Sequence, residues 1–139
     1  MQVPQTFSKE ERLCSHQIIQ KLFSCGFSFF EYPFKAIFID FSPKDRINEQ
    51  YPVQCLFSVS KRHFKKSVHR NQLKRLIREA YRKNKNPLFE NLLRNEQNIA
   101  LALVYNAKVI PDYGWLEVKI ISIIKRLIQE LNSKRPIIK

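Results

Sequence analysis

KRHFKKSVHRNQLKRLIREAYRKNK, residues 61–85, holds eleven of the 25 lysines and arginines of this 139-residue chain and a single acid, Glu79. Eleven cations and one anion leave this segment with a charge of +10, against +13 for the whole chain. Ser67 begins a pattern of helical spacing that predicts a helix over 67–85, ending before Pro87. A rigid surface of such charge favours a dense anionic partner, most commonly a phosphate backbone.

The predicted helix separates polar from apolar residues. At about 100° per residue, the apolar side chains Leu73, Leu76, Ile77 and Ala80 fall on one flank. The opposite arc of about 140° contains Arg70, Asn71, Lys74, Arg75, Arg78, Arg82 and Lys85. Among the i, i+4 neighbours on this side, only the pair Arg75–Glu79 is favourable. Arginine forks bind phosphate oxygens in pairs, so we predict a phosphate-binding face, with a merely solvated face as the alternative.

Patterns outside this segment predict the remaining elements. Ser8 and Glu11 form a capping box, and Gly26 follows the end of the helix that they start. Asp112 is positioned to cap the last helix. The predicted elements are a helix at 9–24, a short edge strand or turn at 27–33, a strand at 34–41, a loop at 42–52, a strand at 53–60, a basic connector at 61–66, a strand at 98–106, a helix at 114–132 and a frayed tail at 133–139.

The last helix has a strong core-facing stripe at Leu116, Ile120, Ile123, Ile124, Leu127 and Leu131. The order α-β-β-α-β-α, with a possible extra short strand, predicts an α+β fold: a small two-layer sandwich with helices packed on a mostly antiparallel sheet. The strands at 34–41 and 53–60 are expected to pair with each other. We expect one RNA-binding domain over 1–139, with the basic helix in a crossover between strands.

Bulk composition narrows the class of protein. No apolar run approaches the roughly 18 residues of a membrane span, and the N-terminus lacks a secretory signal. Three cysteines without a C-x-x-C motif predict free, reduced thiols. A pI near 9.9 predicts a polyanionic partner without separating nucleic acid from an anionic membrane surface. We therefore expect a soluble, cytoplasmic protein.

Catalytic patterns are missing from the sequence. The acids are scattered, the three histidines have no obvious metal-ligand companions, and there is no Walker A or G-x-G-x-x-G motif. A protein-only nuclease is therefore disfavoured. Aromatic residues crowd 27–41; most are expected in the core, with one or two on an open sheet face available to stack on single-stranded bases.

Two sets of residues resemble the bacterial ribonuclease P protein subunit. SVSK at 58–61 followed by RNQLKRLIREAYR at 70–82 resembles its Arg-Asn-Arg signature. ERL at 11–13 with LFSCG at 22–26 resembles its first helix. The resemblance spans roughly 6–130. The central motif is specific, whereas the N-terminal match is weak by itself.

This resemblance implies a protein partner of a catalytic RNA that removes the 5′ leader from precursor tRNA. The RNA subunit uses Mg²⁺ and performs the hydrolysis, and the protein alone binds no cofactor and cleaves nothing. The basic helix docks on RNA, the leader lies in a cleft between the first helix and the sheet, and the protein strengthens substrate and Mg²⁺ affinity. The partners are ribonuclease P RNA and precursor tRNA, with no membrane. The family's crossover is left-handed, and we expect a monomeric free protein.

Carried over by position, the resemblance assigns no catalytic and no metal-binding residue. The implied RNA-binding residues are Lys61, Arg62, Arg70, Asn71, Lys74, Arg75, Arg78 and Arg82. The implied leader-binding cleft consists of Ile19, Phe23, Lys35 and Ile37. Ile19 stands where relatives carry an aromatic, and Gln72 where a basic residue is common. The alternative function is a ribosomal protein or another structural RNA-binding module; a DNA-binding helix-turn-helix is weaker because no short helix adjoins the basic one.

Overall fold

The structure, a computed structural model, describes residues 7–41 and 51–133. The predicted loop at 42–52 and tail at 133–139 lie almost entirely outside these residues. The elements in chain order are a 3-10 turn at Lys9–Glu11, α1 at His16–Cys25, β1 at Phe27–Glu31, β2 at Phe34–Phe41, β3 at Val53–Val59, α2 at Ser67–Asn84, α3 at Asn86–Arg94, β4 at Asn98–Tyr105 and α4 at Tyr113–Asn132.

The sheet has the order β1-β2-β4-β3. β1 and β4 both pair antiparallel with β2, while β3 pairs parallel with β4. The α+β class, the mostly antiparallel sheet and the extra strand β1 are confirmed. The predicted pairing of β2 with β3 is wrong, because β4 lies between them. Seven of the eight residues of β4 are buried, and a strand that is apolar on both faces takes a central position.

One face of the sheet carries the larger core. The six residues of the α4 stripe are all buried there, as predicted. Leu73, Ile77 and Ala80 attach α2 to the same core. The crossover from β3 to its parallel neighbour β4 runs through α2 and α3; its left-handedness stays a prediction.

Helix α1 covers the opposite face, so the sheet has helices on both sides. Leu22 is fully buried against Ile37 and Ile39 of β2 and the small side chains Ala100 and Ala102 of β4. Gly26 makes this close approach possible. A Cβ at that position would lie 2.8 Å from Cγ2 of Ile37, closer than side-chain atoms tolerate.

The N-terminal helix begins later than predicted. The Glu11 carboxylate accepts a hydrogen bond from the Ser8 backbone N–H at 2.6 Å, but this contact closes a 3-10 turn. The chain then runs extended beside β3, where the Leu13 N–H donates to the Cys55 carbonyl at 3.1 Å. Ser15 caps α1 instead, its Oγ accepting from the Ile18 N–H at 3.4 Å. Pairing with the sheet edge thus replaces two predicted helical turns.

Helix α3 was not predicted. Pro87 was interpreted only as the end of α2, yet it occupies the first turn of α3, where a missing N–H costs nothing. The inner face of α3 is buried, and it consists of Leu88, Phe89 and Leu92.

The three cysteines are free thiols, as predicted; Cys14 and Cys25 are exposed and Cys55 is buried. Among the described residues, no helix combines the length and apolar character required to cross a bilayer.

Candidate RNA interface

Helix α2 is anchored along one side and accessible along the other. Its buried residues are Leu73, Ile77, Ala80 and Tyr81. Six of the seven residues predicted for its binding face keep solvent access: Asn71 and Arg75 are exposed, and Arg70, Lys74, Arg78 and Arg82 are partly buried. We call these six residues the α2 face.

The middle of the α2 face has unused donors. Within residues 7–41 and 51–133, the side chains of Asn71, Lys74 and Arg75 make no hydrogen bond and no ion pair. Like charges four apart in a helix repel each other by a few tenths of a kcal/mol. An external anion would relieve this repulsion and satisfy these donors together.

The N-terminal end of the α2 face has a structural contact of its own. Nη1 of Arg70 donates to the carbonyl oxygens of Phe64 at 2.8 Å and Lys65 at 2.9 Å. These bonds fix the connector to the first turn of α2. Lys61 and Arg62 are exposed in the same connector, so the structure places them next to the start of the α2 face.

The positive charge at the C-terminal end of the α2 face is partly neutralised. The predicted pair Arg75–Glu79 is wrong: Glu79 accepts from Nε of Arg82 at 3.1 Å and lies 3.7 Å from Nζ of Lys83. The hydrogen bond from Arg82 is the main cause that lowers the pKa of the Glu79 carboxyl. Arg82 therefore offers less net charge to a ligand than the middle of the helix does.

Lys85 does not belong to the α2 face, contrary to the prediction. It follows the last residue of α2 with helical backbone angles, φ −76° and ψ −14°, so it lies one turn after the buried Tyr81, at the border between the core flank and the α2 face. Its side chain is 2% exposed and pairs with the Glu11 carboxylate, which is 1% exposed. Nζ also lies 5.0 Å from the ring centre of Phe89. This lysine holds the N-terminal segment to the junction of α2 and α3.

A cavity of about 220 Å³ extends the cationic surface from α2 toward the N-terminal segment. Arg12, Lys74 and Arg78 line it, and no carboxylate does. The Arg78 guanidinium lies 5.9 Å from the ring centre of Phe7, and its buried Nε has no hydrogen-bond partner. Arg12 was missed as a site residue, although it lies in the ERL segment that carries the family resemblance.

The predicted cleft residues lie on α1 and β2, two elements that pack together through Ile19 and Ile37. Phe23 is 50% exposed on α1, and Ile19 is partly buried on the same helix. Lys35 and Ile37 are two residues apart on β2 and so point to the α1 side of the sheet. Lys35 is exposed, whereas Ile37 is 7% exposed beneath the helix. Ile37 thus forms the floor, with Phe23 and Lys35 at the rim.

The chain matches a known protein family over most of its length. A family model described as Ribonuclease P matches residues 7–109, the span from the 3-10 turn to just beyond β4. The ribonuclease P protein component of Porphyromonas gingivalis is 34% identical over 122 residues, 84% of each chain.

Solved structures have the same fold. A variant of the Staphylococcus aureus RNase P protein aligns with a TM-score of 0.63 at 18% identity, covering 86% of this chain and 89% of that one. The Thermotoga maritima RNase P protein aligns with a TM-score of 0.61 at 22% identity, covering 84% and 96%.

Proposed function

Because the chain belongs to the ribonuclease P protein family, we propose that the α2 face binds RNA and that the α1–β2 cleft holds the 5′ leader of precursor tRNA. The observation that carries the proposal is the set of unpaired donors on Asn71, Lys74 and Arg75, mounted on a helix whose other side is in the core. Water can solvate such donors, but like charges held this close on a rigid helix favour a polyanion that contacts them together.

Binding through the α2 face is largely electrostatic. The five cations of the α2 face and the adjoining Lys61 would together neutralise six phosphates. Affinity should then fall about 10³-fold between 50 and 200 mM salt, because each such contact releases a condensed counterion. The cavity beside Arg12 and Arg78 adds a place for a further phosphate. These contacts recognise the backbone and shape of RNA rather than its bases.

The cleft suits a single strand without strong sequence preference. The exposed ring of Phe23 is available to stack on a base, and the ammonium group of Lys35 is available to a phosphate. Ile37 supplies an apolar floor and no hydrogen-bonding group. The leader therefore gains affinity mainly from stacking and charge.

The RNA subunit carries the hydrolysis and its Mg²⁺ in this proposal. Cations that neutralise nearby phosphates reduce the repulsion between substrate and catalytic RNA, which supports stronger substrate and Mg²⁺ binding. A net charge of +13 disfavours self-association, so we propose that the free protein is a monomer, acting in the cytoplasm.

Reconstitution tests this function. Protein, its ribonuclease P RNA and a precursor tRNA are mixed at limiting Mg²⁺, and leader release is measured. We expect the protein to stimulate cleavage of the precursor tRNA when the ribonuclease P RNA is present. Without that RNA, we expect the protein to cleave nothing. RNA binding without any stimulation would contradict the proposal and favour the alternative of a ribosomal or other structural RNA-binding module.

Paired substitutions test the α2 face. Lys74→Ala with Arg75→Ala removes two cations from its middle and should lower the slope of log affinity against log salt by nearly two. Arg94→Ala with Lys125→Ala removes equal charge from exposed positions on α3 and α4 and should leave the slope nearly unchanged. Equal effects of the two pairs would contradict a localised interface.

A further inference from the structure

Large aromatic side chains are exposed at the far edge of the sheet, outside the α1–β2 cleft. Phe30 is 50% exposed and Tyr32 55% exposed at the turn between β1 and β2. Trp115, in the first turn of α4, is 39% exposed, and its ring centre lies 6.2 Å from that of Tyr32 in an edge-to-face contact. Exposed aromatics gathered in one place usually mark a binding surface.

Cations accompany these rings. Nζ of Lys119 lies 5.3 Å from the ring centre of Trp115. The exposed Lys35 is the direct strand partner of Phe30. We call Phe30, Tyr32, Trp115 and Lys119 the edge platform.

Two of the neighbouring acids, Glu31 and Glu117, have partners outside the edge platform, whereas the exposed Asp112 before α4 makes no side-chain cap hydrogen bond. Glu31 accepts a hydrogen bond from the Ser122 hydroxyl at 3.1 Å. Glu117 accepts from Asn84 at 2.9 Å and from Tyr113 at 3.3 Å, which directs its carboxylate toward α2. These carboxylates keep their charge, so the positive charge of the edge platform is local: Lys119 lies beside Trp115, and Lys35 lies beside Phe30. Aromatic rings next to cations are the combination that binds single-stranded nucleic acid.

Phe30 lies on the α1 side of the sheet beside the cleft, whereas Trp115 and Lys119 belong to α4, which packs on the opposite face. Ile37 and Lys35 lie on the α1 side of β2, and the strand register sets Phe30 beside Lys35 on the adjacent strand. Strand geometry puts the Cα atoms of Ile37 and Phe30 on the order of 8 Å apart. Tyr32 follows two residues later. An RNA strand leaving the cleft across β2 meets Phe30 next, and it reaches Trp115 and Lys119 by passing round the β1–β2 turn at Tyr32, whose ring contacts Trp115.

We propose that the edge platform binds single-stranded RNA, namely the part of the leader that lies 5′ of the nucleotides in the cleft. The identification of that RNA as leader rests on the proposed function. Bases stack on the exposed rings, and the phosphates between them contact Lys119 and Lys35. A second copy of this chain is a poor occupant, because two chains of charge +13 repel each other.

Fluorescence tests the binding directly, since Trp115 is the only tryptophan of the chain. We expect a single-stranded oligouridine to change its emission saturably, and a duplex RNA of equal charge to change it much less. Tyr32→Ala and Lys119→Ala should each weaken oligonucleotide binding, the former by about tenfold. Leu93→Ala and Lys125→Ala, at exposed sites on α3 and α4, serve as matched apolar and charged controls.

Leader length tests the assignment to precursor tRNA. In the reconstituted holoenzyme, a long leader should lower KM relative to a leader that ends within the cleft. Tyr32→Ala should reduce this advantage about tenfold. Tyr32→Leu, which keeps an apolar contact with Trp115 but loses the stacking ring, should do the same if the alanine variant misfolds.

The outcomes separate the two proposals. Unchanged Trp115 emission, or an equal advantage of long leaders in wild-type and Tyr32 variants, would overturn the edge platform even if precursor tRNA cleavage is stimulated. Loss of a self-associated form in the Tyr32 variants, measured by analytical ultracentrifugation, would overturn it in favour of a second copy. Failure of wild-type protein to stimulate cleavage would instead overturn the proposed function.

Discussion

Removing Lys85 should damage the fold far more than it damages RNA binding. Its ammonium group and the Glu11 carboxylate are both nearly inaccessible, so Lys85→Met leaves a buried carboxylate without its cation. Breaking a buried pair from one side costs about 3–5 kcal/mol. Domains of this size have a free energy of unfolding of about 5–15 kcal/mol. A single methyl thioether in place of this ammonium therefore removes a large share of the stability.

A double-mutant cycle isolates the pair. Glu11→Gln keeps an acceptor for the Ser8 N–H, which donates to the native carboxylate at 2.6 Å, while removing the charge. We expect each single substitution to cost about 3–5 kcal/mol. The double variant Glu11→Gln, Lys85→Met leaves no uncompensated charge and should cost about 1 kcal/mol. The coupling energy between the two sites should thus be several kcal/mol.

Urea unfolding followed by far-ultraviolet circular dichroism measures these values, with the slope m compared between variants. RNA binding at several salt concentrations is measured on the folded variants. Suppose instead that Lys85→Met costs less than about 1 kcal/mol and lowers the salt slope by roughly 0.9, the value of one phosphate contact. The lysine would then belong to the α2 face, and the buried pair would be refuted.

Two further predictions concern stability. Gly26→Ala should cost about 2 kcal/mol in urea unfolding, because the added methyl group meets the Leu22 carbonyl oxygen of α1 as well as Ile37 of β2, so the chain at the end of α1 must shift; no loss would show that this junction adjusts freely. Burial raises the pKa of Tyr105 to about 12, so the folded state favours the neutral phenol. The free energy of unfolding should therefore fall as pH rises from 10 to 12, and less so in Tyr105→Phe. If the free energy of unfolding fell equally in the wild type and in Tyr105→Phe, the titrating group would not be Tyr105.

The spacing of apolar residues predicted those elements that bury one side in the core and leave the other side in solvent. The α4 stripe and the two flanks of α2 follow from helical geometry and the removal of apolar area from water. The strands follow from short β-rich apolar runs. The same reasoning predicted that Arg70, Lys74 and Arg75 lie on one accessible surface, because α2 is a regular helix from Ser67 to Asn84.

Strand order and polar partners could not be predicted in this way. The sequence of 42–52, which connects β2 to β3, contains no indication that β4 lies between these two strands, because β4 comes later in the chain. The pairing of Glu11 with Lys85 joins residues 74 positions apart, and a burial pattern contains no information about such a partner. The error at Lys85 has the same cause: its position on the helix borders the core flank, and the Glu11 carboxylate of the N-terminal segment covers it there.

The arrangement of partners along α2 explains how so charged a helix can fold before it meets RNA. At its beginning, Arg70 is held by two backbone carbonyls; near its end, Glu79 offsets Arg82 and Lys83. Each contact disperses positive charge where the helix joins the rest of the molecule. Repulsion is thus concentrated on the middle of the α2 face, where no internal partner is provided among the described residues. Binding of a phosphate backbone there relieves repulsion already present in the free protein, so affinity and the stability of α2 should rise together.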